Sequence, residues 1–485
     1  MSIRTRFAPS PTGYMHIGNL RTALWAYLIA KKDPEGVFIL RIEDTDQGRL
    51  VEGATDIIYD TMKQCGLAHD EGPDVGGPVG PYVQSERVKS GLYMDYAKQL
   101  IRLGGAHYCF CDEETIEKAR AAKNSDDGNR SYDDPCRNLS PEEAEARVKN
   151  GEPFVIRQTI PQEGTTSFDD EVFGTITVDN STLDEAVLIK SDGFPTYNFA
   201  NVIDDHLMGI TDVVRGMEYL SSTPKYNLIY DAFGWDKPRY IHCPPVMKDE
   251  HSKLSKRNGD ASFQDLMAKG YLPEAVLNYI AMLGWSPEGN QEIFTLPELV
   301  QAFNVKHIGQ NGAIFDPVKL TSVNGLWLRG MDLDTYFKLT EPYIREAVKG
   351  NYDLKKIAAG VQQRANTLVE IAPMLDFYDT FPSYSNDLYI NKKMKTTPEI
   401  ALASLKECRA VLADIESWDF DTLHETLMAL PAKMGVKNGQ VLFPLRVAIS
   451  GKQSTPGGAI EIAEILGKEE TLRRLDLSIR QLEKE

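Results

Sequence analysis

Two prolines and a glycine, set between a short strand pattern and a run of helix formers, constrain this chain most. Ile3-Arg4-Thr5-Arg6-Phe7 alternates apolar and polar residues, the period of a strand. Leu20 to Ala30 holds good helix formers with apolar residues at helical spacing. Pro9 and Pro11 stiffen the turn between them, and Gly13 can take the positive φ that such a turn demands. A strand therefore runs through a rigid loop into a helix whose first turn carries His16 and Gly18. A helix start offers free N–H groups and partial positive charge, which suit phosphate. A glycine there lets a flat ligand lie on bare backbone, and an imidazole can donate to a phosphoryl oxygen. On this stretch alone two readings stand side by side: a nucleotide site, or a capped helix with a surface histidine.

Val37 to Ile42 is a continuous apolar run broken by Arg41, the pattern of a strand buried on both faces of a parallel sheet. It completes a βαβ unit over residues 3 to 42 and ends in Glu43, Asp44 and Asp46. Ligands of open α/β sheets bind beyond the carboxyl ends of strands, so Glu43 is expected to face substrate. Asp46 is expected to cap a helix from Ala54 to Cys65. Glycine and proline make residues 71–84 a loop, and a helix follows from Glu86 to Leu103. Residues 92–186 read as an insertion of mixed α and β structure, with a charged helix at 112–123, a polar loop at 124–134, and short strands at 154–157 and 174–178. Val187 to Ile189 returns to a buried strand, followed by an Asp192-Gly193 turn, a helix from Tyr197, and strands at 210–215 and 239–242. Lys253-Leu254-Ser255-Lys256-Arg257 concentrates positive charge in a loop, which is either a phosphate clamp or a solvated surface run. Beyond Lys319 the pattern is helical, with helices expected at 333–348, 354–375, 397–415, 421–434 and 459–482 and caps at Asp353, Thr397 and Asp421.

With 485 residues, 42% of them hydrophobic, the chain is large enough for two or more domains. No run approaches 18 apolar residues and no signal-peptide core opens it, so it is expected to be soluble, cytoplasmic and without a membrane partner. A net charge of −18 argues against nonspecific grip on nucleic acid through an overall positive field. It leaves room for a tRNA or DNA ligand whose phosphates meet a local basic strip. Six unevenly spaced cysteines do not make a disulfide framework; the cluster Cys109, Cys111 and Cys136 reads as a candidate metal site.

Taken together, the motifs resemble a known family. His16-Ile17-Gly18 at the first strand–helix junction and Lys253-Leu254-Ser255-Lys256 after the last core strands resemble the paired signatures of class I aminoacyl-tRNA synthetases. Phe7-Ala8-Pro9-Ser10-Pro11-Thr12-Gly13, Arg41-Ile42-Glu43-Asp44-Thr45-Asp46, and Phe194-Pro195-Thr196-Tyr197 through Asp204-Asp205-His206 are similar to bacterial-type glutamyl-tRNA synthetases. The resemblance covers the whole chain. It implies a Rossmann-like parallel-sheet catalytic domain in two halves (1–91 and 187–320), an inserted α+β acceptor-stem subdomain (92–186), and an all-α anticodon-binding domain (321–485). It implies ATP-dependent ligation of L-glutamate to tRNA(Glu) through glutamyl-adenylate, by a monomer. An enzyme that also glutamylates tRNA(Gln) is the alternative, whereas a glutaminyl enzyme would carry a β-barrel in its second half.

Position by position, the resemblance gives Arg6, Ala8, Ser10, Glu43, Tyr197, Asn201 and Arg215 to the glutamate pocket, with Arg215 pairing the side-chain carboxylate and Asp205 nearby. His16, Gly18, Glu218, Lys253, Ser255 and Lys256 go to ATP, with His16, Lys253 and Lys256 acting in catalysis and Mg²⁺ accompanying the nucleotide. Asn19 stands where many class I enzymes carry a second histidine. Cys109, Cys111 and Cys136 match three of four zinc ligands of some members. The fourth place holds Asn138, a poor zinc donor, so His107, Asp133 or Asp134 would have to substitute, or the site is vestigial.

Overall fold

The computed structural model describes residues 2–112, 114–115, 135–254 and 262–484. It separates into two compact units, Met1–Leu266 with Val276–Asp316, and Met267–Ala275 with Pro317–Glu485.

The first unit opens with the expected βαβ device: β1 (Arg4–Phe7), α1 (Ile17–Lys32) and β2 (Val37–Leu40). The two strands pair in parallel from Arg4↔Val37 to Phe7↔Leu40. Alternation in β1 predicts one buried face, yet Thr5, Arg6 and Phe7 are all buried. The polar two are satisfied inside: Thr5 Oγ1 donates to Ala26 O at 2.8 Å and Arg6 is ion-paired to Asp205. Gly13 takes φ +107°, as the turn requires.

Next come α2 (Ala54–Gln64), α3 (Gln84–Lys89), α4 (Leu92–Arg102), β3 (Ala106–Cys109), α5 (Pro141–Lys149) and β4 (Val155–Gln158). After them run β5 (Thr165–Asp170), β6 (Gly174–Asp179), β7 (Val187–Ile189), α6 (Tyr197–Leu207), β8 (Asp212–Gly216), α7 (Thr223–Phe233) and β9 (Arg239–Cys243). One sheet has the order β3-β4-β7; another has the order β6-β5-β9-β8. In the second, β8 and β9 are parallel from Asp212↔Arg239 to Gly216↔Cys243, and β5 joins β9 in parallel at Asp170↔Tyr240. The hairpin β5–β6, which lies within 92–186 in sequence, is thus an edge of the sheet that carries β8. Backbone bonding of Thr211 N–H to Arg4 O (2.9 Å) sets β1 against the entry to β8. The carboxyl ends of β1, β8 and β9 consequently open on one side, where a ligand is expected.

Several helices differ from the sequence reading, each for a local reason. The helix expected at 86–103 is two, α3 and α4, parted by Gly91 at φ +78°; a left-handed residue cannot continue a right-handed helix. Asp46 does not cap α2, whose N-cap is Gly53 at φ +75°; a short 3₁₀ turn, Gln47–Arg49, intervenes. Most of the charged helix and polar loop expected at 112–134 lies outside the described residues.

The second unit is helical, as predicted. Its longer helices are Pro317–Gly330, Leu333–Ala347, Pro398–Asp414, Phe420–Met434, Asn438–Ser450 and Lys468–Leu482. Asp353 and Thr397 are N-caps as expected, but Asp419, not Asp421, accepts the Thr422 N–H. The run 354–375 stops at Gln362 and restarts as short turns, where Glu370 accepts the Asn366 N–H. The run 459–482 divides at Gly467, φ +80°. Arg474 is buried at the centre of this unit and donates to the carbonyls of Phe377, Tyr378 and Ile449. Among the described residues no helix is long and apolar enough to cross a membrane.

Candidate active site

A cavity of about 400 Å³ lies at the carboxyl ends of β1, β8 and β9. Its lining includes Arg6, Ala8, Ser10, His16, Gly18, Glu43, Tyr197, Arg215, Glu218 and Lys253, residues the sequence reading selected from five separate stretches. Asn201 is not in the lining: it is buried on α6, and its Nδ2 donates to Tyr197 O one turn back. Ser255 and Lys256 lie outside the described residues. Tyr219 and Cys243 also face the cavity and carried no sequence signal. Burial pushes the Cys243 thiol up to about 12, so it presents a neutral S–H rather than a nucleophilic thiolate.

One end of the cavity is built on ion pairs. Arg6 places Nε and Nη2 on the two oxygens of Asp205, at 2.9 and 3.2 Å, and Nη1 on Val214 O. Arg41, fully buried, reaches Asp205 with Nη1 (2.7 Å) and Glu43 with Nη2 (2.8 Å). Asp204 behind them accepts from Gln84, Arg87 and Tyr93. Burial raises the Asp205 carboxyl and the two arginines more than reverse it, leaving it below the ordinary carboxylate value. Burial dominates at Glu43, whose carboxyl sits above the ordinary value despite Arg41. Glu43 Oε1 is committed to Arg41, while Oε2 has no hydrogen-bond partner among the described residues.

Arg215 is built differently. It is buried, yet no carboxylate pairs with it among the described residues. Its Nε donates to His242 Nε2 at 3.1 Å and its Nη2 to Thr223 Oγ1 at 2.7 Å. Its Cζ lies 4.8, 5.3 and 5.5 Å from the ring centroids of Tyr226, Tyr219 and Tyr240, an aromatic cage that favours a cation without neutralising it. Tyr197 packs on Tyr219 with centroids 4.9 Å apart and the rings tilted by 32°, and burial holds its phenol neutral.

The other end suits a nucleotide. His16 is the N-cap of α1, its Nδ1 accepting the Gly18 N–H at 3.0 Å. The two sequence readings of His16 are therefore compatible: the cap bond uses Nδ1 and places the neutral ring's proton on Nε2. A Cβ at Gly18 would meet His16 Nδ1 at 3.1 Å, so glycine keeps ring and backbone in register. Lys253 pairs with Met247 across a tight turn whose apex residue, Asp249, accepts the His251 and Ser252 N–H groups. That turn starts the lysine loop at the cavity wall.

The family described as tRNA synthetases class I (E and Q), catalytic domain, matches residues 2–322, and the family described as Anticodon binding domain matches 335–479. The chain belongs to these class I tRNA synthetases. A Clostridium tetani protein named glutamate–tRNA ligase is 59% identical over 483 residues, covering 100% of this chain and 98% of its own length. A protein of the same name from Clostridium acetobutylicum is 58% identical over 99% of both. The crystal structure of a glutamate tRNA ligase from Elizabethkingia meningosepticum in complex with its amino acid superposes with a TM-score of 0.89 at 33% identity, covering 99% of this chain and 100% of that one.

Two further features of this synthetase bear on partners. Cys109, Cys111 and Cys136 bring their sulfurs within 4.8 Å of one another, with Cys111 and Cys136 at 3.6 Å. His107 binds Thr159 Oγ1 through Nδ1, and Asp133 and Asp134 lie outside the described residues. The donor set therefore fits three of zinc's four positions. In the helical unit a cavity of about 570 Å³ is lined by Lys356, Arg364, Tyr378, Arg446, Gly457 and Glu461. Arg446 Nε is buried there without a hydrogen-bond partner among the described residues, and burial and then Arg364 lower its proton affinity. Helical periodicity gave no hint of it, because Arg364, Arg446 and Gly457 come from three separate segments.

Proposed function

We propose that this synthetase joins L-glutamate to tRNA(Glu) at the expense of ATP, in protein synthesis. One observation carries the choice of amino acid: Arg215 is a buried cation on the cavity wall with no carboxylate partner among the described residues. A buried unpaired charge is costly unless a ligand matches it, and the side-chain carboxylate of glutamate does so where the amide of glutamine would not. Glu43 Oε2 takes the α-ammonium, and Arg6, Ala8, Ser10 and Tyr197 close the pocket around the carbon chain.

The glutamate α-carboxylate oxygen then attacks the α-phosphorus of ATP, and pyrophosphate leaves. His16 Nε2–H, Lys253 and Lys256 meet the charge that develops on the phosphoryl oxygens, while Gly18, Ser255 and Glu218 seat the nucleotide. A Mg²⁺ ion accompanying the ATP would screen the phosphates that Lys253 and Lys256 hold. In the second half the terminal ribose hydroxyl of the tRNA attacks the activated carbonyl and AMP departs. Residues 92–186 hold the acceptor end, and residues 321–485 read the anticodon, with the Arg364–Arg446 cavity taking a base or phosphate. Cys109, Cys111 and Cys136 would supply three thiolate ligands to a structural zinc ion. The enzyme works as a cytoplasmic monomer.

Aminoacylation of purified tRNA(Glu) and tRNA(Gln), each offered glutamate and glutamine, tests this reading. Glutamate on tRNA(Glu) is the expected product; glutamine as the preferred substrate would overturn it. Metal analysis of the same preparation is expected to give one zinc per chain, lost in Cys111→Ser.

A further inference from the structure

We infer that Asp170 and His242 are positioning residues for Arg215, acting as a relay that sets the direction of its guanidinium. The three groups come from three strands of one sheet: Asp170 ends β5, Arg215 lies near the end of β8, and His242 sits opposite Arg215 in the β8–β9 register. His242 Nδ1 is 2.6 Å from Asp170 Oδ2, and its Nε2 receives the Arg215 Nε–H at 3.1 Å. All three residues are buried.

The bonding leaves one assignment of protons. Arginine only donates, so Nε2 must be a bare lone pair, and the ring's proton must sit on Nδ1, pointing at the carboxylate. Asp170 is held to that task by its surroundings: Oδ1 accepts the Val172 and Phe173 N–H groups, and Oδ2 accepts the His242 N–H. His16 carries its neutral proton on the opposite nitrogen, for the same reason: its Nδ1 is the one that accepts an N–H.

The arrangement accounts for the absence, among the described residues, of a carboxylate in contact with Arg215. A carboxylate in contact would compete with the substrate for the same guanidinium. An imidazole between them orients Arg215 through one N–H and leaves Nη1 without a protein partner among the described residues. The charged groups facing His242 are Asp170 from β5, Arg215 from β8 and, more distantly, Glu218 after β8; Thr223, Phe168 and Tyr240 complete its surroundings. A proton added to Nε2 would oppose Arg215 head-on, so acid should release the guanidinium.

This inference rests on Arg215 binding the glutamate carboxylate, and the test separates the two. Labelling the full-length enzyme with ¹⁵N-histidine and assigning His242 through His242→Gln reads the tautomer directly. A neutral ring protonated on Nδ1 at pH 7 is expected; an Nε2–H ring or an imidazolium would overturn the relay. In tRNA-dependent pyrophosphate exchange, Asp170→Asn is expected to raise the glutamate KM about ten- to hundredfold, the span that a hydrogen bond to a charged group commands. The ATP KM should stay unchanged and the acid limb of the glutamate pH profile should move. His242→Gln, whose side-chain oxygen can still accept from Arg215, should keep a lower glutamate KM than His242→Phe. Equal KM changes for both substrates, or equal behaviour of Gln and Phe, would overturn the relay while a glutamate-specific defect in Arg215→Gln leaves the pocket reading standing. No defect in Arg215→Gln would overturn the pocket reading itself.

Discussion

Two buried arginine clusters flank the cavity, and they are solved in opposite ways. Arg41 sits among Asp204, Asp205 and Glu43, each of them a carboxylate of the same chain. Arg215 sits among an imidazole, a hydroxyl and three phenol rings. A cation whose anions are internal is scaffold, because its charge is already spent on the fold. A cation surrounded by neutral groups keeps its field for something that arrives later. The same residue type, buried in both places, is thus paired with internal anions on one side and left for a ligand on the other, as the proposed function requires.

The sharpest way to break this contrast is to remove each cation. Arg41→Met strands buried carboxylates and is expected to cost about 3–5 kcal/mol in denaturant unfolding. A loss under 1 kcal/mol would show that the cluster is not scaffold. Arg215→Gln strands no anion. It is expected to leave unfolding stability at or above that of the parent while glutamate kcat/KM falls by about 2–3 kcal/mol, the worth of a charge-assisted bidentate contact. A stability loss matching that of Arg41→Met would erase the distinction.

Acid sharpens it further, because the clusters titrate in different windows. Burial lowers the His242 proton affinity beneath its ordinary 6.5, more than Asp170 restores it. The folded state therefore binds that proton less readily than the unfolded chain does. The stability this contributes is present above pH 6.5 and is lost as pH falls below it, at roughly 1.4 kcal/mol per pH unit until the folded value is passed. The arginines hold Asp205 below its ordinary 3.8, so its contribution survives to about that pH and is lost only beneath it. Glu43 runs the other way: its raised carboxyl means that stability falls as pH rises through its ordinary 4.5. Stability curves from pH 8 to 3 should show a first shoulder below 6.5 that His242→Gln removes and Arg41→Met leaves. The smallest effect belongs to an exposed pair: Lys31→Ala, which breaks contact with Asp70, is expected to change stability by under about 1 kcal/mol.

Much of this was legible in the residues. The βαβ opening, the helical second half, His16, Gly18 and Glu43 follow from strand ends, turn residues and helical spacing, whereas Arg6, Ala8, Ser10, Tyr197, Arg215, Glu218 and Lys253 were carried to the cavity by the family resemblance. What was not legible depends on contacts distant in sequence. Arg6 reads as the polar member of an alternating strand, and only Asp205, brought in by α6, makes its burial tolerable. Asn201 reads as a pocket residue from its motif, yet its turn of α6 directs the amide back to Tyr197 O. Asp170 and His242 carry no local signature at all, since nothing in the sequence announces that β5 pairs with β9. The helix breaks at Gly91 and Gly467 were written in the sequence, but apolar periodicity running through both glycines outweighed them.

That pairing of β5 with β9 sets a limit on how the molecule can be taken apart. Residues 92–186, proposed above to hold the acceptor end, look in sequence like a cassette that could be exchanged whole between relatives. The hairpin of β5 and β6 is hydrogen-bonded into the sheet beneath the cavity, and it brings Asp170 with it. A transplant that carries the hairpin along also transplants part of the amino acid pocket's foundation. Modular exchange in this chain should cut before Thr165, leaving residues 165–186 with the host.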